Sequence, residues 1–216
     1  MRDLKIRASS VGKIMTNPKT KAEGILSVGA KTYLRELAKQ EIFGVEFEVG
    51  SKEMAKGIEV EGDAIALLNR VRSLSLSKNT KRRTNAWVTG ECDLFDPATK
   101  KGYDIKSSWS AKTFPGWVTD CTDNTYEWQL RAYMQLWDAD EWEVVYALVD
   151  TPEKLIGFEP LQMHIVSHIP EQMRLTGWRI ERDFVKEREM QERVEAAREY
   201  MLDVIQQFDE IHKEAA

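Results

Sequence analysis

Apolar positions change their period along the chain, and each change marks an element. Ser9 or Ser10 can open a short helix through Met15, stopped by Asn17-Pro18. From Ser27 to Phe43, Val28, Tyr33, Leu34, Leu37, Ala38 and Ile42 recur near helical spacing, and Gly44 closes the segment. From Ser51 or Lys52 to Arg70, Met54, Ile58, Ile65 and Leu68 recur near multiples of 3.6, with Ala64 and Leu67 widening the stripe, which predicts a second helix. Val71 to Ser77 alternates as a strand does. Val88–Phe95 and Tyr103–Ser108 read as a hairpin across turn chemistry running from Asp96-Pro97 to Gly102. A helix capped by Thr122 or Asn124 runs to Asp138 with Tyr126, Leu130, Tyr133, Met134 and Trp137 as its stripe.

Two further apolar runs, Trp142–Val149 and Phe158–Ile169, predict strands, the first rich enough in valine for a sheet interior. From Glu171 the pattern is helical, breaking near Thr176-Gly177. Met190, Val194, Ala197, Met201, Val204, Phe208 and Ile211 then step alternately by four and three. That seam either packs on its own domain or meets a helix of another subunit. Together the elements predict an α/β fold: a central mixed sheet of about five strands with helices on both sides. Length fits one domain, with a helical part over about 1–70, a sheet over about 71–169 and C-terminal helices over 170–216.

The hairpin concentrates candidate chemistry. Asp104 and Lys106 are two apart on one strand and share a face, with Asp93 on the neighbouring strand. Two carboxylates, with the Ile105 carbonyl between Asp104 and Lys106, suit a hard divalent cation, which takes oxygen ligands. Lys106 would orient or deprotonate a water, or neutralise charge developing on a phosphate. The same residues also fit a plain surface hairpin with a cross-strand ion pair. Glu61 shares a helix side with Ile58, Ile65 and Leu68. A carboxylate in an apolar stripe needs a cation or donor unless it sits at the stripe's edge. Gln129 and Tyr133 are four apart on one helix face, the Gln either at a site or on the surface. Trp109, Phe114 and Trp117 either cover the sheet or stack on a base.

Composition narrows the class. A hydrophobic fraction of 42% with 9% aromatics fits a folded globular chain. No run of eighteen apolar residues predicts a membrane span, and Met1–Lys5 has no apolar signal core, so a cytoplasmic protein is expected. Only Cys92 and Cys121 are present, which gives no disulfide framework, and no HExxH or CxxC zinc pattern occurs. The net charge is −5, unevenly placed: residues 1–90 hold 17 Lys+Arg against 10 Asp+Glu, leaving 14 against 26 beyond. The basic half, with Lys81-Arg82-Arg83 in a turn, is either a phosphate-binding face or a solvated surface.

Asp93, a turn, then Asp104-Ile105-Lys106 resembles the PD-(D/E)xK nuclease motif, without the usual proline before the first Asp. Gly57-Ile58-Glu59-Val60-Glu61-Gly62-Asp63-Ala64, Arg7-Ala8-Ser9-Ser10-Val11 and the Gln129–Tyr133 pair resemble, in order, elements of the phage lambda-type exonuclease (YqaJ-like) branch of that superfamily. The resemblance covers about residues 1–150. It implies a restriction-endonuclease-like core and a Mg²⁺-dependent DNA exonuclease, with Mn²⁺ able to substitute. Glu61, Asp93, Asp104 and the Ile105 carbonyl would hold the ion, Lys106 would prepare the water, and Gln129, supported by Tyr133, would place it or the phosphate. Ser9, Arg2 by ungapped spacing, and Tyr133 would lie toward the DNA phosphate, although Ser9 fits a helix cap equally well. The expected action is 5′→3′ removal of nucleotides from double-stranded ends for phage-type recombination, with an annealing protein as partner and a ring trimer as assembly. A structure-specific endonuclease on the same residues and a non-catalytic DNA-end binder are the competing expectations.

Overall fold

The computed structural model describes residues 5–47 and 50–213. Arg2 lies outside the described residues. Among the described residues, seven strands form two sheets. β1 (Ile6–Arg7), β2 (Arg83–Thr84) and β3 (Val88–Gly90) make a small one in the order β1-β3-β2. β4 (Leu94–Asp96), β5 (Lys101–Ser107), β6 (Glu141–Ala147) and β7 (Leu175–Glu181) make the larger one in that order. β5 and β6 run parallel and their outer partners antiparallel, so the sheet is mixed. The helices are α1 (Val11–Ile14), α2 (Val28–Phe43), α3 (Lys52–Glu59), α4 (Glu61–Arg72), α5 (Asn124–Trp137), α6 (Glu153–Ile156) and α7 (Phe184–Lys213). The α/β class with flanking helices stands, with its strands divided between two sheets. Among the described residues no helix is long and apolar enough to cross a membrane.

The pleat of β6 explains the layers. Successive strand side chains point to opposite faces. Trp142 and Val144 enter the main core with α1, α2, α5 and α7, while Val145 and Ala147 meet α4 on the other face. β5 follows the same rule. Gly102 lies flat beneath the Trp142 ring, where a Cβ would come within 2.2 Å of Cε2. Gly102 is therefore a strand residue, not the last residue of the turn. The turn itself is closed by Asp96, whose carboxylate accepts the Ala98 N–H (3.0 Å) and the Thr99 hydroxyl (2.7 Å).

Five elements differ from the sequence reading. The single helix expected from Ser51 to Arg70 is two, broken at Val60 (φ −103°, ψ 11°), which lies between two glycines of low helix propensity, Gly57 and Gly62. The strand expected over 71–77 is absent: α4 continues to Arg72, and the Asn69 side chain satisfies both the N–H (3.0 Å) and the carbonyl (2.8 Å) of Leu76. The strand expected over 158–169 is a set of turns, held where Asp150 accepts the N–H groups of Val166 and Ser167. Conversely, the segment read as helical from Glu171 contains β7 on the sheet edge, so residues 170–216 are not all helix. Val88–Phe95 is likewise two short strands in different sheets.

α7 packs on its own chain, chiefly along α2. Its buried apolar positions are Met190, Val194, Ala197, Met201 and Ile205, so the seam leaves the expected Val204 after Met201. A straight helix of 3.6 residues per turn drifts off a seven-residue repeat in this way.

Candidate active site

The gap between β3 and β4 creates the site. β4 pairs with β5 only as far as Leu94 opposite Tyr103. One residue earlier the strands fork. The Asp93 carbonyl is taken by the Asn79 N–H (2.7 Å), and its carboxylate swings across to accept the Ile105 N–H at 2.6 Å. From Asp104 onward that edge of β5 is free of a strand neighbour. A strand residue directs its N–H and C=O to the same edge, so the Ile105 carbonyl faces the fork as well.

Asp104 and Lys106 point to the α5 face of β5, as their spacing predicts. Asp104 is buried, with Oδ2 lying 2.7 Å from Lys106 Nζ but in no well-formed hydrogen bond. Oδ1 accepts Gln129 Nε2 at 3.0 Å. Gln129 also donates to the Tyr133 hydroxyl (3.2 Å), which donates onward to the Glu91 carbonyl (3.1 Å). Gln129 is thus a buried residue of the cluster and not a surface one. α5 can present this face because Asp123 caps it, accepting the N–H groups of Thr125 (2.6 Å) and Tyr126 (3.2 Å); neither Thr122 nor Asn124 is the cap.

The electrostatics are those of acids crowded in a poorly hydrated cleft. Burial, then the charge of Asp104, pushes the Asp93 carboxyl up to about 7. Burial pushes the Lys106 ammonium down, but the charge of Asp104 at 2.7 Å and then that of Asp93 push it further up, leaving it above the usual lysine range. Cys92 is turned into the core, and burial raises its thiol to about 12, so it is inert.

Glu61 stands in the first turn of α4, just after the Val60 break, where the helix dipole favours an acid. Its carboxylate pairs with Lys78 rather than joining Asp93 and Asp104 directly. With Lys78, Ile105 and Ser107 it lines a cleft of about 280 Å³ at the fork's outer side. Among the described residues, no three Asp, Glu, His or Cys side chains are spaced as a ready-made metal cluster. The arrangement brings together Asp93, Asp104, Lys106, Gln129 and Tyr133, with Glu61 at the rim.

Ser9 lies close by. Neither it nor Ser10 caps a helix with its side chain. Ser9, Arg7, Arg82, Glu91 and Tyr133 line a cavity of about 330 Å³. Trp109 is buried and bonded to Glu159, a covering role, whereas Trp117 is exposed.

Three contributors escaped the sequence reading. Lys78 is the partner of Glu61. Tyr126 places its ring 5.0 Å from Lys106 Nζ. Lys56 is fully buried and donates to the carbonyls of Ser108 (2.6 Å), Trp109 (3.2 Å) and Val149 (2.9 Å), tying α3 to the ends of β5 and β6. A lysine within the helical pattern gave no sign of this. Helical spacing places Tyr126, three residues before Gln129, in the apolar stripe of α5 and gives no sign of its contact with Lys106.

No family model matches the chain, and no curated protein sequence matches it. Solved structures do. A phage-related exonuclease from Haemophilus somnus 129PT superposes with a TM-score of 0.90 at 37% identity, over 95% of this chain and 96% of that one. An alkaline exonuclease from Laribacter hongkongensis superposes at 0.70 with 19% identity over 98% of this chain and 95% of that one. The latter enzyme's complex with dAMP gives 0.69 at 20%, over the same shares of the two chains. The first match, nearly end to end at that identity, carries the assignment, and the others share the fold: the chain belongs to the phage lambda-type exonuclease family.

Proposed function

We propose that the protein is a Mg²⁺-dependent DNA exonuclease that removes nucleotides 5′→3′ from double-stranded ends. The observation that carries this reading is the forked edge of β5, where Asp104 and Lys106 share one face and Asp93 faces them across the gap. The residues fit a hard divalent cation. Asp93, Asp104 and the Ile105 carbonyl offer oxygen atoms only, Asp104 Oδ2 is buried without a well-formed hydrogen bond, and Asp93 is too crowded to ionise easily on its own. Glu61 would complete the set by exchanging its pairing with Lys78. Mn²⁺ has the same ligand preference and would substitute.

When bound, the ion supplies an acidified water and a counter-charge for the phosphate. The chain's own groups do the rest. Lys106, kept as an ammonium, orients the attacking water and neutralises charge growing on the phosphate oxygens; it is not a base. Gln129 fixes the Asp104 carboxylate by its bond to Oδ1 and is itself fixed by Tyr133. Ser9, with the arginines of the cavity it lines, offers donors for the phosphate of a DNA end. The similar structures are exonucleases, and one of them is in complex with dAMP, which supports the reading. Such an activity leaves single strands for an annealing partner in phage-type recombination.

The test is digestion of a linear duplex labelled at either terminus, with Mg²⁺ or EDTA, beside a covalently closed circle. The expected result is metal-dependent release of nucleotides from the 5′ end, an intact circle, and no turnover in Lys106→Ala or Asp104→Ala, both of which still bind ends in Ca²⁺. Cutting of the circle would establish an endonuclease instead. Near-normal turnover in either variant would remove the basis for the assigned roles.

A further inference from the structure

Lys106 lies between an acid and an aromatic ring. On one side lies Asp104 Oδ2 at 2.7 Å; on the other the ammonium stands over the Tyr126 ring, 5.0 Å from its centroid. Tyr126 comes from the first turn of α5, where Asp123 caps its N–H, and it precedes Gln129 by three residues and Tyr133 by seven. All three therefore project from one face of α5 toward β5. The Tyr126 ring is in turn held edge-on by Tyr146, at 6.4 Å and 64°, and Tyr146 is the residue that pairs with Lys106 across β5 and β6. The lysine is thus bracketed by a carboxylate and a ring whose negative face attracts a cation.

We propose that Tyr126 is a positioning residue for Lys106. Resting on the nuclease reading above, the inference adds a further member to its site. A lysine stem has four rotatable bonds, and Asp104 alone fixes the ammonium by one contact, leaving the stem free to swing outward. The ring removes that freedom and leaves the remaining N–H groups aimed at the fork. The interaction needs the aromatic face and makes no use of the phenol hydroxyl. Tyr126 does not line the cavity beside Ser9, so its loss acts on the chemical step and not on DNA binding.

The test compares Tyr126→Leu, Tyr126→Met and Tyr126→Phe on a linear duplex. Loss of the ring should lower kcat about ten-fold with KM within about two-fold of the parent, and Tyr126→Phe, which keeps the ring, should restore kcat to within about two-fold. A second readout needs neither metal nor DNA. In protein carrying ¹³C-labelled lysine, assigned with Lys106→Met, the Lys106 side-chain methylene signals should be shifted upfield by the ring in the parent and in Tyr126→Phe, and should return to the ordinary lysine position in Tyr126→Leu and Tyr126→Met. Unchanged kcat without the ring, a Tyr126→Phe as slow as Tyr126→Leu, or Lys106 signals indifferent to the ring would overturn the proposal. Lys106→Ala, run alongside, separates the two readings. Turnover surviving without Lys106 defeats the nuclease assignment, whereas turnover lost there but normal in Tyr126→Leu defeats only the role of Tyr126.

Discussion

Lys56→Met tests whether the clip between α3 and the sheet is what holds the outer wall of the site. Methionine keeps most of the buried stem and deletes the ammonium. At neutral pH that ammonium is charged, although burial pushes it down to about 8 against the pull of Asp150. Of its three acceptors, the Trp109 carbonyl keeps the Thr151 hydroxyl at 2.8 Å, while those of Ser108 and Val149 lose this donor. Each buried carbonyl left without a partner costs about 1–3 kcal/mol, so the gross loss is about 2–6 kcal/mol. Removing a charge from the interior offsets part of that, leaving about 3 kcal/mol. For a chain of this length that is a fall of about 6–12 °C in Tm. Urea unfolding followed by circular dichroism at neutral pH measures it as a lower midpoint with an unchanged slope. A loss below about 1 kcal/mol would mean the three bonds contribute nothing net, and the account of how α3 is anchored would be wrong.

Other perturbations separate the remaining parts of the argument. Gln129→Leu strips a donor from Asp104 and Tyr133 together, and should cost about 1–3 kcal/mol of stability and lower turnover by about ten-fold or more; unchanged turnover would exclude Gln129 from the site. Gly102→Ala drives a methyl group into the Trp142 ring and should destabilise by about 1–3 kcal/mol or more in urea, with a neutral result showing that the ring lies elsewhere. Asp93 titrates at about 7 in the fold, above its unfolded value near 4, so its contribution is present at low pH and is lost as the pH rises through 7. In EDTA, Tm should therefore fall between about pH 4 and pH 7, and Asp93→Asn should flatten that slope; an equal slope in the variant would place the titration elsewhere.

What the sequence conveyed well was local. Ser27 and Gly44 bracket α2 as expected, because a serine cap and a left-handed glycine stop act within a few residues (Gly44 φ 65°). Asp104 and Lys106 share a face because strand geometry alone requires it. The failures lie where distant groups decide. Val71–Ser77 has a strand's alternation, yet Asn69 captures its backbone before any strand can. Phe158–Ile169 is apolar enough for a strand, but Asp150 and the proline at each end fold it into turns. β7 was hidden because its alternation, Trp178-Arg179-Ile180-Glu181, is short and follows the break at Thr176-Gly177 between helical patterns. For the site, pattern and family resemblance together pointed to the acids, the lysine and the Gln–Tyr pair. Neither could reveal the partners of Lys106 and Glu61, since Tyr126 and Lys78 meet them only after the sheet and helices assemble.

The fork also explains why this chemistry belongs at this point of the fold. A fully paired β5 would spend the Ile105 N–H and C=O on a neighbouring strand and leave Asp93 and Asp104 as an adjacent pair in a ladder, where like charges repel. Ending β4 at Leu94 frees that edge, and a side chain, not a backbone, then satisfies the Ile105 N–H. The cost of leaving the edge open is carried by Asn79, which takes up the Asp93 and Cys92 carbonyls released by the divergence. On the opposite flank α5 supplies Gln129 and Tyr133 from positions fixed by its cap at Asp123. Two carboxylates can then remain close in a buried setting because the Lys106 ammonium stands beside them. Without such charge the cluster would relax by protonation, and the raised Asp93 is the sign of that tendency.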